Sequence, residues 1–253
     1  MDYGIKGKNA IVVGGFGGLG YSIATLLLEE GANVAIGDMI APEEKFDVLK
    51  TKFPNQKIIF IKTDVSSEAS DINLVEESIK QLGSVELFSN SVAIWPTGKV
   101  VEITEAEWNK CMQLNLTGAF ILNRELVKYW LKNKIKGKIV NVTSQAAFHG
   151  STSGHAHYAA SKAGMVTFSI SLAREVAPDG ITVNCVAPGI MRSPMTEEVL
   201  KDPNRKDAYL ARIPVRRIAE TMDVAKAVAF LLSTQADYMT GTTLDLTGGM
   251  LMR

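Results

Sequence analysis

Short apolar runs alternate with longer stretches along the chain, and the two differ in periodicity. The short runs are rich in Val, Ile and Phe and end at turn residues, which indicates buried strands, whereas the longer stretches repeat apolar residues at helical spacing. The predicted strands are Asn9–Val13, Asn33–Gly37, Lys57–Lys62, Val85–Ser89, Gly137–Thr143, Ile181–Ala187 and Thr243–Leu246. The predicted helices are Gly18–Glu30, Pro42–Lys52, Glu68–Leu82, Glu105–Leu131, His155–Ala177 and Thr221–Ser233. This alternation predicts an α/β fold, with a doubly wound parallel sheet between two layers of helices.

Length and composition indicate one soluble domain. The chain has 253 residues, 46% of them hydrophobic, without an internal repeat or linker, so residues 1–253 are expected to form a single domain. Lys and Arg number 27, as do Asp and Glu, so no excess of positive charge favours nucleic acid or an anionic membrane. The N-terminus lacks the apolar core of a signal peptide, and no apolar run reaches the roughly 18 residues of a membrane span. We therefore expect a cytoplasmic protein.

The cysteines and histidines do not favour a metal site. Cys111 and Cys185 are far apart in sequence, which argues against a disulfide framework or a zinc site. His149, His155 and His157 cluster ahead of one predicted helix, but no Cys or carboxylate lies near them in sequence. We expect no metal, and we expect these histidines to lie at a loop or helix start beside a substrate.

A glycine-rich turn, Val13-Gly-Gly-Phe-Gly-Gly-Leu-Gly20, follows the first strand and opens the first helix. Glycine lets the backbone approach a pyrophosphate, and a helix N-terminus supplies free N–H groups with partial positive charge. The glycine spacing differs from the usual G-x-G-x-x-G, but its position between a strand and a helix predicts a dinucleotide site.

Asp38 closes the second strand, 18 residues after Gly20. A carboxylate there can accept hydrogen bonds from the adenosine ribose hydroxyls and repels a 2′-phosphate. Neither Gly17 nor Met39 supplies the cation that a 2′-phosphate requires, so the sequence predicts NAD rather than NADP. The alternative is a loop aspartate that caps the following helix.

Tyr158 and Lys162 are four residues apart in a predicted helix, which places them on one face, one turn apart. A free tyrosine ionises near pH 10, too high to accept an alcohol proton at neutral pH. A neighbouring cation favours the phenolate and lowers its pKa, so the pair predicts acid–base catalysis. Alone, such a pair is more often two surface residues; the glycine turn and Asp38 give it weight.

From Ile5 to Gly249 the chain resembles the short-chain dehydrogenases/reductases, compact single-domain enzymes with a Rossmann fold. Beside the features above, the matching motifs are Leu-Asn-Leu-Thr-Gly around Asn115, Asn-Val-Thr-Ser ending at Ser144, and Pro188-Gly189 followed by Ser193. The resemblance implies the catalytic residues Ser144, Tyr158, Lys162 and Asn115. It implies the cofactor-binding residues Gly14, Phe16, Gly18, Leu19, Gly20, Asp38, Asp64, Val65, Asn90, Tyr158, Lys162, Pro188, Gly189 and Ser193. It also implies a homotetramer.

The same resemblance implies roles. Tyr158 exchanges a proton with the substrate oxygen, and Lys162 lowers its pKa and holds the nicotinamide ribose. Ser144 hydrogen-bonds the substrate oxygen, where negative charge develops during hydride transfer. The neighbourhood of Asn115 positions a water that links the lysine to solvent.

Four features depart from the family pattern. Val13 replaces a threonine of the turn, Ala93 replaces a glycine after the fourth strand, and Thr247 replaces an aspartate near the C-terminus. The span from Ser144 to Tyr158 is one residue longer than is common, an insertion that we place in the loop 150–154. The first two departures bear on cofactor affinity rather than on the fold.

The substrate side is the least determined part. Trp95 and Phe148 follow strand ends, where open α/β sheets bind ligands, although core packing is an equal alternative. Met191 and Met195 open the segment 190–214, which by resemblance is a substrate lid, and Met suits irregular apolar shapes. No Arg or Lys stands in a motif position to fix an acid group, with Arg192 the one nearby candidate. We therefore expect a neutral, largely apolar substrate, for example a cyclic one.

These features predict an NAD-dependent oxidoreductase that interconverts a secondary alcohol and a ketone, with a small-molecule substrate. One alternative is a 3-oxoacyl-thioester reductase, whose substrate also joins a ketone to an apolar chain. An epimerase or dehydratase of the extended family would need a second domain, for which the chain has no room. A catalytically weak NAD-binding regulator is the remaining alternative, although the loss of Tyr158, Lys162 or Ser144 that would signal it is not observed.

Overall fold

The computed structural model describes residues 3–150 and 154–253 of the chain. They form a seven-stranded sheet, all of whose strand pairs are parallel, in the order β3-β2-β1-β4-β5-β6-β7. The strands are β1 (Asn9–Val13), β2 (Asn33–Asp38), β3 (Ile58–Lys62), β4 (Leu87–Asn90), β5 (Lys138–Val142), β6 (Thr182–Pro188) and β7 (Thr243–Leu246). The predicted doubly wound, single-domain α/β fold is confirmed, and each predicted strand lies within two residues of its observed bounds.

Helices cover both faces of this sheet. They are α1 (Gly18–Glu29), α2 (Glu43–Lys52), α3 (Glu68–Leu82), α4 (Glu105–Met112), α5 (Gly118–Asn133), α6 (Ala146–His149), α7 (Ala156–Val176), α8 (Glu197–Lys201), α9 (Pro203–Arg212) and α10 (Thr221–Leu232). One buried apolar cluster lies between the sheet and α1 and α10, and a second lies between the sheet and α3 and α5. No helix among the described residues is long and apolar enough to span a bilayer.

The strand order reverses between β1 and β4, which are adjacent in the sheet although β2 and β3 separate them in sequence. Val13, the last residue of β1, is in register with Asn90, the last residue of β4. In open α/β sheets the crevice outside the carboxyl ends of strands at such a reversal is where ligands bind. The topology therefore places a ligand site beside the glycine turn.

The long helix predicted for residues 105–131 is two helices joined by a π-helical turn, Gln113–Thr117. Asn115 lies in this turn, fully buried, and its amide bonds to groups outside the helix. A π turn admits one extra residue per turn and often occurs at functional sites. The periodicity of the apolar residues continues through it, which is why the sequence alone indicates one uninterrupted helix.

Residues 190–214, expected to be a lid, contain α8 and α9. Three buried residues of this segment, Ile190, Val199 and Ile213, form a small apolar cluster with Ile218, which is separate from the two main clusters. Trp95, Tyr209 and Met250 pack against it from the side. The inserted residue expected in the loop 150–154 stays a prediction, because residues 151–153 of that loop lie outside the described residues.

Asp71 is an unusual buried carboxylate on α3. It is 0% exposed, and neither carboxylate oxygen has a hydrogen-bond partner among the described residues. Burial, and secondarily the charges of Asp64 and Glu68, raise the pKa of Asp71 from 3.8 to about 7. The folded protein therefore keeps a proton on Asp71 at a pH where the unfolded chain has released it.

This difference predicts a pH-dependent stability. Between pH 4 and 7 the folded state binds the proton of Asp71 more tightly, so its contribution to the free energy of unfolding falls as the pH rises. We expect Asp71→Leu to raise the free energy of unfolding by up to roughly 4 kcal/mol at pH 8 and by much less at pH 4.5, measured by urea denaturation.

The matched control is Glu76→Gln, which removes an exposed carboxylate from the same helix and should change stability little at either pH. An equal effect of Asp71→Leu at both pH values would show that Asp71 is not protonated in the folded protein.

Candidate active site

A cleft of about 540 Å³ opens at the carboxyl edge of the sheet, between the glycine turn, the N-terminal part of α7 and the lid segment. Most of the predicted site residues line it. They are Gly14, Phe16, Gly18, Leu19, Gly20, Asp38, Trp95, Ser144, Tyr158, Lys162, Pro188, Gly189, Met191, Ser193 and Met195. The structure thus brings together residues that lie between Gly14 and Met195 in the sequence.

The glycine turn is shaped to receive a phosphate group. Gly14 has a φ of +73°, which favours glycine, and a Cβ on Gly20 would lie 2.0 Å from the Gly14 carbonyl oxygen. No side chain of the described residues caps the N-terminus of α1, and its first turn carries no acidic residue. Free N–H groups and positive helix-dipole charge therefore face the cleft, as a pyrophosphate requires.

Asp38 holds the glycine turn against the end of β2. Its Oδ2 accepts a hydrogen bond of 2.9 Å from the Phe16 backbone N–H, and its Oδ1 accepts one of 2.8 Å from Met39. Lys45 of α2 donates to the Phe16 carbonyl at 2.9 Å. Lys45 is a residue that sequence reasoning missed, because α2 carries it to the turn only in the folded chain.

The hydroxyl of Tyr158 is hydrogen-bonded to Ser144. Burial raises the pKa of Tyr158 and outweighs the opposing effect of this hydrogen bond. The sequence-based expectation was the opposite, a pKa lowered by Lys162. The difference arises because the sequence shows the neighbouring cation but not the loss of water around the phenol.

Lys162 is 1% exposed, and its Nζ donates to the Val142 carbonyl oxygen at 2.8 Å. It lies 5.9 Å from the centroid of the Tyr158 ring, so the predicted pairing on one helix face is present. Burial lowers the pKa of Lys162 to about 8. An ammonium with such a pKa can release a proton near neutral pH, as a proton relay needs.

Asn115 lies behind the cleft rather than in its wall. Its Oδ1 accepts from the Ile94 N–H at 2.8 Å, and its Nδ2 donates to the Ile94 carbonyl at 3.0 Å and to Ser161 Oγ at 3.1 Å. Ser161 Oγ in turn donates to the Tyr158 carbonyl at 2.7 Å. Asn115 therefore joins the loop after β4 to the helix that carries Tyr158.

Four other predicted site residues also lie outside the cleft wall. Asp64 accepts from the Ser66 N–H and hydroxyl, and Val65 is buried beneath α5, with its carbonyl oxygen close to Gly118. Asn90 accepts from the Val92 N–H at 3.1 Å and holds the loop after β4. Phe148, expected at the substrate wall, instead lies under the Arg253 guanidinium, 3.6 Å from its ring centroid. Stacking on the C-terminal arginine explains why Phe148 does not line the cleft.

The departures from the family pattern are accommodated locally. Val13 is fully buried in β1, and Ser91 donates to the Val13 carbonyl at 2.8 Å, so a hydroxyl still joins the ends of β1 and β4. Ala93 lies in the cleft wall. Thr247 exchanges hydrogen bonds with the backbone of Leu251, and this turn brings Met250 to the cleft.

The substrate end has one wall of stacked rings. Trp95 and His155 stack with centroids 4.4 Å apart, and His155 Nδ1 lies 2.7 Å from the Pro96 carbonyl oxygen, to which it donates. Burial lowers the pKa of His155, which keeps the ring neutral. Among the described residues, no three His, Cys, Asp or Glu side chains form a group that could hold a metal ion, either beside His155 or elsewhere.

The lid and the C-terminal tail also contribute to the cleft wall. Sequence reasoning found Met191 and Met195 there but missed Tyr209, Arg212 and Met250, which also line the cleft. Arg192, the candidate cation, is not in the wall and pairs with Glu220 at 2.9 Å. No motif marks the missed residues, because the fold of the lid brings them to the cleft.

Comparisons with known proteins agree with this site. A family model described as enoyl-(acyl carrier protein) reductase matches residues 14–251. The chain is 36% identical over 249 residues to nodulation protein G of Rhizobium sp. (strain N33), covering 98% of both chains. It is 38% identical over 248 residues to the 3-oxoacyl-[acyl-carrier-protein] reductase FabG of Haemophilus influenzae, covering 98% of this chain and 100% of that one.

A solved structure from Agrobacterium tumefaciens, described as a 2-deoxy-d-gluconate 3-dehydrogenase with bound NADP, superposes with a TM-score of 0.92. It is 30% identical to this chain, covering 100% of this chain and 99% of that one. These matches extend over nearly the whole chain. This chain therefore belongs to the short-chain dehydrogenase/reductase family.

Proposed function

We propose that the protein is an NAD(H)-dependent oxidoreductase that interconverts a secondary alcohol and a ketone. The observation that carries this proposal is the placement of Ser144, Tyr158 and Lys162 in one cleft with the glycine turn and Asp38. One end of the cleft offers free N–H groups to a pyrophosphate, and the other offers an acid, a hydrogen-bond donor and a buried ammonium. A protein that only binds NAD, as a regulator does, would not require this combination of groups.

The nicotinamide ring would supply hydride transfer, and the chain's own residues handle the substrate oxygen. Ser144 Oγ accepts from the Ala146 N–H at 3.2 Å, which leaves its proton free for donation toward the Tyr158 oxygen or a substrate oxygen. Tyr158, protonated at neutral pH by its raised pKa, donates a proton when a ketone is reduced and must release it when an alcohol is oxidised. Lys162, one helical turn away, is the group through which that proton exchanges.

NAD is proposed as the cofactor because Asp38 presents a carboxylate at the adenosine end of the cleft. Two observations oppose this choice. Lys45 reaches the same turn, and the similar Agrobacterium structure contains NADP. We favour NAD because the Asp38 carboxylate closes the second strand, the position from which it repels a 2′-phosphate.

An apolar substrate body fits the walls nearest the catalytic residues. Trp95, Ile190, Met191, Met195 and Met250 line the cleft, and flexible Met side chains accommodate irregular or cyclic shapes. Reduction of a 3-oxoacyl thioester is the second candidate, since relatives at 36–38% identity are named as such reductases. This reaction requires the same chemistry at the ketone, and its substrate differs in the acyl thioester that is attached to the ketone.

A homotetramer in the cytoplasm is proposed for the assembly and location. Trp108 of α4 and Phe120 and Leu131 of α5 are each about two-fifths exposed, and Phe120 packs edge-on against Phe168 of α7. Large apolar side chains exposed on adjacent helices are suited to pairing with a second copy.

The proposed activity is tested with a substrate panel. With NAD(H), we expect the highest kcat/KM for alicyclic alcohols and ketones, and lower values for an N-acetylcysteamine 3-oxoacyl thioester and for polyols.

Tyr158→Phe keeps the ring and removes the acid, so we expect turnover to fall by at least about a hundredfold while NADH binding, followed by fluorescence, persists.

Near-normal turnover by the Phe variant would refute the assigned acid. A preference for the thioester would establish the second candidate, and a preference for polyols would refute the apolar pocket. NADH binding without turnover of any substrate would support the regulator.

Cofactor choice is tested by substitution at Asp38. Asp38→Ala should narrow the kcat/KM advantage of NAD over NADP, because it removes both the ribose hydrogen bonds and the repulsion of a 2′-phosphate. If Lys45 supplies the cation for NADP, then Lys45→Gln in the Asp38→Ala background should lower the activity with NADP again. A wild-type preference for NADP would contradict the proposal.

Assembly is tested by light scattering at micromolar concentration. We expect a mass four times that of the chain, and we expect Phe120→Glu to give smaller species because it places charge on the proposed interface. The control is Glu44→Gln, an exposed substitution on α2, which packs on the other face of the sheet. A monomer in the wild type would exclude the tetramer.

A further inference from the structure

One face of the lid helix α9 is directed at the substrate end of the cleft. Arg205, Tyr209 and Arg212 recur at spacings of four and three residues, which places them on the same side of the helix. Tyr209 and Arg212 line the cleft. Tyr209 also packs on the apolar cluster of the lid, which fixes the rotation of α9 about its axis.

Arg212 is the charged group at this end. Among the described residues that line the cleft, only Asp38, Lys162 and Arg212 carry a full charge. Asp38 lies at the adenosine end, and Lys162 donates to the Val142 carbonyl oxygen. Arg212 is thus the one fully charged side chain in the described wall that is available to a substrate.

No described residue forms an ion pair or side-chain hydrogen bond with Arg212. In contrast, four other arginines pair with carboxylates: Arg124, Arg192, Arg217 and Arg253. Arg212 does not cap the C-terminus of α9 either. Arg216 donates instead to the carbonyls of Leu210 and Ala211 at that end of the helix. Asp207 lies about 140° around the helix from Arg212.

Arg205 adds a second positive charge on the same face of α9. The pKa of His155 is lowered first by burial and in smaller part by the charges of His157 and Arg205, so Arg205 lies close enough to act on the ring wall of the cleft. A guanidinium presents its N–H groups as a fork that matches the two oxygens of a carboxylate. The Tyr209 hydroxyl lies on the same face and offers a further donor.

We propose that Arg212 binds an anionic oxygen group of the substrate, so that the physiological substrate is a hydroxy or oxo acid with an apolar body between the reacting carbon and the acid. This inference rests on the proposed function and refines it. The expectation of a neutral substrate rested on finding no cation in a motif position that faces the site. Arg192 indeed does not line the cleft, but Arg212 does. The acid group is a carboxylate or a phosphate monoester, because both present the anionic oxygens that a guanidinium binds.

The test compares ketones of one alicyclic skeleton that carry a carboxylate, a phosphate monoester, or the neutral carboxamide. For the wild type we expect kcat/KM to be at least about tenfold higher for one of the two anions than for the amide, mainly through KM. Arg212→Gln should lower kcat/KM for the preferred anion at least about tenfold more than for the amide, and Arg212→Lys should restore part of the difference. Lys206→Gln, which removes a different charge from α9, is the control and should retain the preference.

Equal kcat/KM for the anions and the amide in the wild type, or equal losses for all three in Arg212→Gln, would overturn the proposal while leaving the ketone reductase activity established. If no ketone is turned over, the proposed function fails, and calorimetric titration of NADH-loaded protein with the unreactive cyclohexanecarboxylate tests the anion site separately. We expect binding of this anion that is stronger than that of cyclohexanecarboxamide and that is lost in Arg212→Gln. Equal binding of the two compounds would exclude the site.

Discussion

Removing the Lys162 ammonium from water is the constraint on which the geometry of this site depends. A buried charge is tolerated only where hydrogen bonds replace its hydration, and Lys162 has the Val142 carbonyl at 2.8 Å. Thr143 donates to the Lys162 carbonyl at 2.8 Å and fixes the backbone of the same residue. Both contacts come from the end of β5, so α7 can lie on the sheet in only one register. Ser144 follows Thr143 directly, and this register sets it opposite Tyr158.

The opposite side of α7 is held through Asn115. The π turn directs the Asn115 amide at the Ile94 backbone and at Ser161, which itself bonds to the Tyr158 carbonyl. A regular helix through residues 113–117 would rotate this side chain away from one of its partners. Helix α7, which carries Tyr158 and Lys162, is therefore held by β5 and by the loop after β4, and the Asn115 side chain lies behind the cleft.

Local patterns predicted the fold and the cofactor half of the site, whereas tertiary contacts decided the rest. Strand and helix periodicity, and the four-residue spacing of Tyr158 and Lys162, are properties of adjacent sequence. The pKa direction of Tyr158 is not, because it depends on water excluded by distant segments. Lys45 and Arg212 have no motif, and each reaches the cleft only through the packing of its helix. The unpartnered carboxylate of Asp71 likewise cannot be recognised in the sequence, where Asp in a first helical turn is ordinary.

The two halves of the cleft are built on different cores, and this separates chemistry from specificity. The glycine turn, Asp38, Ser144 and Lys162 belong to strands and helices of the two main clusters, whose rearrangement would disturb the whole sheet. Tyr209 and Arg212 belong to the lid segment, which packs on the separate cluster of Ile190, Val199, Ile213 and Ile218. Substitutions there change the substrate wall at little cost to the fold, so relatives named for oxoacyl and for sugar-acid substrates can share one scaffold. The lid is therefore the part of this chain that bears most on the substrate class, and the guanidinium of Arg212 is the charged group that it brings to the cleft.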